Sequence, residues 1–100
     1  MKVYLDDQRE APEGWTRTYT ARATIALVEA GGVTHLSLDH DLGENIDEVG
    51  TGYDVLLWIE EQVATCGQSP PEITVHSANV GARPKMELAI ESIRRFVRQK

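Results

Sequence analysis

The chain's 100 residues, 41% of them apolar and 26% charged with a formal net charge of −6, have the composition of one globular domain rather than of a disordered tail. No apolar run approaches the ~20 residues of a membrane span, and the acidity excludes tight, non-specific binding of duplex nucleic acid. The charge is uneven: residues 1–82 carry four basic and fourteen acidic side chains, whereas residues 83–100 carry six basic and two acidic ones.

Lys2–Leu5 predicts a first strand that ends where Asp6 begins. Residues 8–14 (QREAPEG) hold Pro12 and Gly14 and predict a loop. Trp15–Tyr19 alternates aromatic and Thr residues and predicts a short second strand. Thr20 suits the N-cap of a helix to about Ala30, with Ala23, Ile25, Ala26, Leu27 and Ala30 as its apolar face and Gly31-Gly32 as its stop. Val33–Leu38 predicts a third strand stopping at Asp39, and a polar loop covers residues 42–50.

Thr51–Thr65 predicts a second helix, with Tyr53, Leu56, Ile59 and Val63 on one stripe widened by Val55, Leu57 and Trp58. Cys66 sits near its end and reads as inert packing. As the single cysteine it excludes an internal disulfide, which, with an N-terminus too acidic for a signal peptide, predicts a cytoplasmic setting. Glu72–His76 predicts strand four, running into Ser77. A last helix from Pro84 to about Val97 turns Met86, Ala89, Ile90, Ile93 and Phe96 to one side. Its basic residues balance the acidic body and suit the helix dipole.

Strands alternating with helices predict parallel pairing through crossovers, and ligands of such sheets bind beyond the carboxyl ends of the strands. Asp6, Asp7, Asp39 and Asp41 cluster at two such ends. Two carboxylates about 5 Å apart repel by roughly 3 kcal/mol at an effective dielectric of about 20. A quartet therefore either protonates in part or holds a hard divalent cation, Mg2+ or Mn2+. Glu44, Asp47 and Glu48 read as ordinary solvated acids. His40 and His76 lie at the ends of strands three and four, where an imidazole can exchange protons at neutral pH; His35, mid-strand, reads as packing or surface. Trp15 reads as core ahead of base stacking, and Trp58 as packing.

At these positions the chain resembles the receiver domain of two-component signalling. Leu5-Asp6-Asp7 is similar to its acidic pair after strand one, Leu36-Ser37-Leu38-Asp39 to the segment bearing its phospho-accepting Asp, Thr51-Gly52 to its Asp-Gly, and Val75-His76-Ser77-Ala78 to its Thr/Ser-Ala. More closely, LDDQREAPEGW, LSLDHDLG, TGYDVLLWIEE, PPEITVHSAN and MELAIESIRR together resemble the cyclic-phosphate processing receiver domain over nearly the whole chain. The resemblance implies a truncated, flavodoxin-like α/β fold: about four parallel strands in the order 2-1-3-4 with about three helices. A receiver's fifth strand with its Lys is missing, and Lys85 or Arg83 is the substitute available. The C-terminal helix is expected to fold across the face that receivers cover with their first and last helices.

Carried over, Asp7 and Asp39 are the expected direct metal ligands, with Asp6 direct or through water and Asp41 an addition. Asp39, His40, His76 and Ser77 form the expected catalytic set. Ser77, Asn79 and Arg83 are expected to hold phosphate oxygens, with Arg9 a similar candidate. The leading functional reading is a metal-dependent phosphoesterase acting on cyclic phosphate ends of RNA or on a cyclic nucleotide. Its alternatives are a regulatory module with Asp39 as phospho-acceptor or phosphate sensor, and a domain that binds a partner through its acidic surface.

Overall fold

The computed structural model describes residues 1–39, 51–67, 69–76 and 80–98, the last without its side chain. The elements are β1 (Lys2–Leu5), β2 (Trp15–Thr18), α1 (Ala21–Ala30), β3 (His35–Leu38), α2 (Gly52–Cys66), β4 (Glu72–Val75) and α3 (Arg83–Arg98). All strand pairs are parallel, as the alternation of strands and helices predicts, and the order is β2-β1-β3-β4, as the family resemblance implies. Among the described residues no helix is long and apolar enough to cross a membrane.

Alternation along the strands decides what each face meets. Register aligns Val3 with Leu36 and Leu5 with Leu38, and in turn with Ile73 and Val75. This apolar row packs on Val55, Leu56, Ile59 and Val63 of α2 and on Met86, Ala89, Ile90 and Ile93 of α3 in one cluster. The helices lie side by side, α1 against α2 and α2 against α3. All three therefore cover the same face. The expectation that the C-terminal helix crosses to the other face is wrong: its Met86-Ala89-Ile90-Ile93 stripe finds its partner surface beside α2.

The remaining face carries Lys2, Tyr4, Trp15, Arg17, His35, Ser37, Glu72 and Thr74, and no described helix lies on it. Its bareness starts in the β1–β2 connection. Parallel neighbours ordinarily need a crossover with room for a helix, yet residues 6–14 make this one as a loop.

Local chemistry sets the helix ends. Thr20 caps α1 by accepting from Ala23 N–H, and Thr51 forms a reciprocal capping box with Asp54. Gly67, at φ 68°, ends α2 with its N–H on the Val63 carbonyl. The predicted stripe of α1 is rotated: Ala21 and Thr24 are buried and Ala23, Ala26 and Ala30 exposed. Thr24 is tolerated inside because its hydroxyl meets Thr18 Oγ1 at 2.7 Å and the Thr20 carbonyl at 3.0 Å. Cys66 is exposed, which corrects its reading as packing.

Candidate functional site

Three side chains converge at the carboxyl end of the sheet because each is the first residue past its strand. Asp6 follows β1, Asp39 follows β3 and His76 follows β4. Each donates its backbone N–H to the neighbouring strand: Asp6 to Thr18 O at 3.1 Å, Asp39 to Leu5 O at 3.0 Å and His76 to Leu38 O at 3.0 Å. The parallel ladder thus fixes all three in one row, and a ligand atom from each lies within 4.8 Å of the others.

Asp6 is almost wholly buried, at 1% exposure. Its Oδ1 accepts from the N–H groups of Gln8 at 2.8 Å and Arg9 at 2.9 Å, a turn that closes the β1–β2 loop over the carboxylate. Burial pushes its pKa up, but those two N–H groups, and then the His76 ring, outweigh it; the result lies below the ordinary 3.8. The Arg9 guanidinium stands 3.7 Å from Oδ2 and donates to the His76 carbonyl at 2.9 Å. Arg17 donates to the Asp6 carbonyl at 2.9 Å.

His76 is held on three sides. Nε2 is 3.1 Å from Asp6 Oδ2, Nδ1 is 2.7 Å from Ser37 Oγ, and the ring stacks on Tyr4 at 4.1 Å and 6°. Burial lowers its pKa; the Asp6 bond and the Asp6 and Asp39 charges raise it without compensating fully, and Arg9 adds to the lowering. The imidazole is therefore neutral at neutral pH. Ionised Asp6 is an acceptor only, so Nε2 carries the proton and Nδ1 accepts the Ser37 hydroxyl. Ser37, His76 and Asp6 thus form a hydrogen-bonded series like a Ser-His-Asp triad, with the ring nitrogens exchanged. Ser37 is only 6% exposed and so positions the ring rather than attacking a substrate.

Asp39 is half-buried where α2 begins. Gly52 permits that approach: a Cβ there would overlap the Asp39 carbonyl oxygen and crowd Met86 Cε, 2.9 Å away. This gives a steric cause for glycine after Thr51. Asp7 is half-buried in the turn after β1 and is not one of the three converging groups. His40, Asp41, Ser77 and Asn79 lie outside the described residues. Arg83 is exposed and pairs with Glu87 at 3.4 Å, while Lys85 places its ammonium 4.0 Å from the Tyr53 ring centroid.

Ser37 and Tyr4 were missed as site residues. Both alternate with buried aliphatics and precede a strand-end acid by two positions, which puts them on the same side of the pleat as each other; only the pairing register adds His76 to them.

A scan of family models matches residues 1–92 to the cyclic-phosphate processing receiver domain. Comparison with curated proteins and with solved structures finds no match.

Proposed function

From the premise that this chain belongs to the cyclic-phosphate processing receiver domain family, we propose that the row formed by Asp6, Asp39 and His76 binds a divalent cation and opens cyclic phosphates. The substrate class is a 2′,3′-cyclic phosphate at an RNA end or on a nucleotide. The family's description supports phosphate handling. The convergence of three donors from three strands within 4.8 Å carries the metal reading.

The donor set fits such an ion. Asp6 and Asp39 repel at this distance by about 3 kcal/mol at an effective dielectric of about 20, and a cation relieves that cost. Two carboxylates and one imidazole suit Mn2+ better than Mg2+, which prefers oxygen alone. Bound there, a cation would polarise a phosphoryl oxygen and offset the charge that develops as the ring opens.

Ser37 serves both states of the pocket. Without a cation it donates to Nδ1; if Nε2 were to hold a cation, the ring proton would sit on Nδ1 and Ser37 Oγ would accept it, so the ring would keep its orientation. Arg9, half-exposed and 3.7 Å from Asp6 Oδ2, supports this reading as a cation for a phosphate oxygen. Ring opening requires that water lose a proton as it bonds to phosphorus, and that the departing ribose oxygen gain one. Both His76 nitrogens are committed, so His76 holds a proton rather than moving one. His40, next to Asp39 in sequence, takes the proton from water in this reading, and solvent returns one to the ribose oxygen.

The test is turnover of 2′,3′-cyclic nucleotides with Mn2+ or Mg2+, set beside calorimetric Mn2+ binding. Activity and binding that both disappear in Asp39→Asn support the proposal. No turnover, with Asp39→Asn indistinguishable from the parent, overturns it. If a small phosphodonor adds a phosphoryl group to the intact mass and Asp39→Asn prevents this, the phospho-accepting alternative replaces it.

A further inference from the structure

We propose that the bare face of the sheet is a stacking platform for the bases of single-stranded RNA whose cyclic phosphate end lies at Asp6, Asp39 and His76. This rests on the functional reading above and extends it from the reacting phosphate to the chain that carries it.

Four rings run across that face without a break. His76 stacks on Tyr4 at 4.1 Å, Tyr4 meets the edge of Trp15 at 6.3 Å, and Trp15 meets His35 at 6.4 Å. His76 belongs both to this row and to the phosphate pocket, so the two surfaces are continuous. Tyr4, Trp15 and His35 are half-buried, leaving each ring partly open.

Charge on the face runs against that of residues 1–82 as a whole, which carry four basic and fourteen acidic side chains. The chain carries −6, yet Lys2, Arg17 and, at the rim, Arg9 face Glu72 as the one acid among the strand residues of this side. The Lys2 ammonium lies 5.7 Å from the Trp15 ring centroid, a contact that a base can replace while Lys2 turns to a phosphate. Aromatic rings for bases with cations for the backbone are what single-stranded nucleic acid requires.

A second copy of the chain fits less well, because the strand residues described on this face include no large aliphatic side chain to exclude water. The exposed Leu57, Leu88 and Val97 belong to α2 and α3, the helices that cover the opposite face.

The experiment uses the full chain with Trp58→Phe as background, so that Trp15 is the sole tryptophan. Tetraribonucleotides ending in a 2′,3′-cyclic phosphate or in a plain 3′-hydroxyl are titrated, with inorganic phosphate as a base-free probe. Expected are quenching of Trp15 by both RNAs, RNA affinity about tenfold weaker in Trp15→Ala and nearly restored in Trp15→Phe, and unchanged phosphate binding. Unfolding curves check that each variant is folded. RNA binding that leaves Trp15 fluorescence and the Trp15→Ala affinity unchanged overturns the platform. So does phosphate binding without RNA binding, and both results leave the phosphate site standing. Quenching by both RNAs with no preference for the cyclic end, and no effect of Asp39→Asn, keeps the platform and removes the reading of the site.

Discussion

The two faces of this sheet are built from the same sixteen strand residues and do opposite work. One presents Val3, Leu5, Leu36, Leu38 and Ile73 to three helices, all 5% exposed or less. The other presents Tyr4, Trp15, Arg17, His35 and Ser37 and has no described helix on it. Each strand supplies both, since successive side chains point to opposite sides. Stability is stored on the helical side, and the recognition chemistry proposed above belongs to the side on which no described helix lies. The row of Asp6, Asp39 and His76 stands at the carboxyl ends, where the strands stop dividing their side chains between the two.

Leu36 separates the two faces most clearly. Leu36→Ala should cost about 2–5 kcal/mol in urea unfolding, while leaving the spectroscopic environment of Trp15 unchanged. Gly52→Ala tests the seam between the helical layer and the site. Its Cβ must displace the Asp39 carbonyl or the start of α2, at about 3 kcal/mol. Calorimetry should show Mn2+ binding falling with it.

Ser37→Ala sharpens the contrast from the bare side. It leaves His76 Nδ1 without a partner, at about 1–3 kcal/mol. It should weaken Mn2+ binding about 10–100-fold by releasing the ring. Trp15→Ala lies at the far end, with about 1 kcal/mol lost in unfolding from its edge contact with Tyr4.

Acid unfolding in the presence of a chelator separates the site from both faces. His76 is depressed from 6.5, so the stability it contributes is present above that pH and is lost as pH falls toward its folded value. Asp6 is depressed from 3.8, and its share is lost in a second, more acidic step. His76→Gln should flatten the first step and keep the second, because the N–H groups of Gln8 and Arg9 still hold Asp6. Urea midpoints from pH 8 down to well below 3.8 follow both steps.

Much of this was legible in residue order. Alternation and helical spacing located the strands and helices to within a residue or two, because burying an apolar stripe leaves a period in the chain. Asp6 and Asp39 were legible for a related reason: polar residues directly after parallel strands have one edge to occupy. The Thr24 face of α1 was not legible, since a buried hydroxyl is recognised only by the Thr18 partner that satisfies it.

The strand order β2-β1-β3-β4 followed from the family resemblance; residue order itself carried the alternation of strands and helices, the absence of a helix between β1 and β2, and the acids at the strand ends. Local periodicity and chain length encode those features. The tertiary structure alone decided that α3 lies beside α2, that Asp6, Asp39 and His76 meet among the described residues, and that Ser37 and Tyr4 hold the imidazole. These depend on register between strands up to 70 residues apart, where a shift of one position exchanges the two faces and no local pattern records the partner.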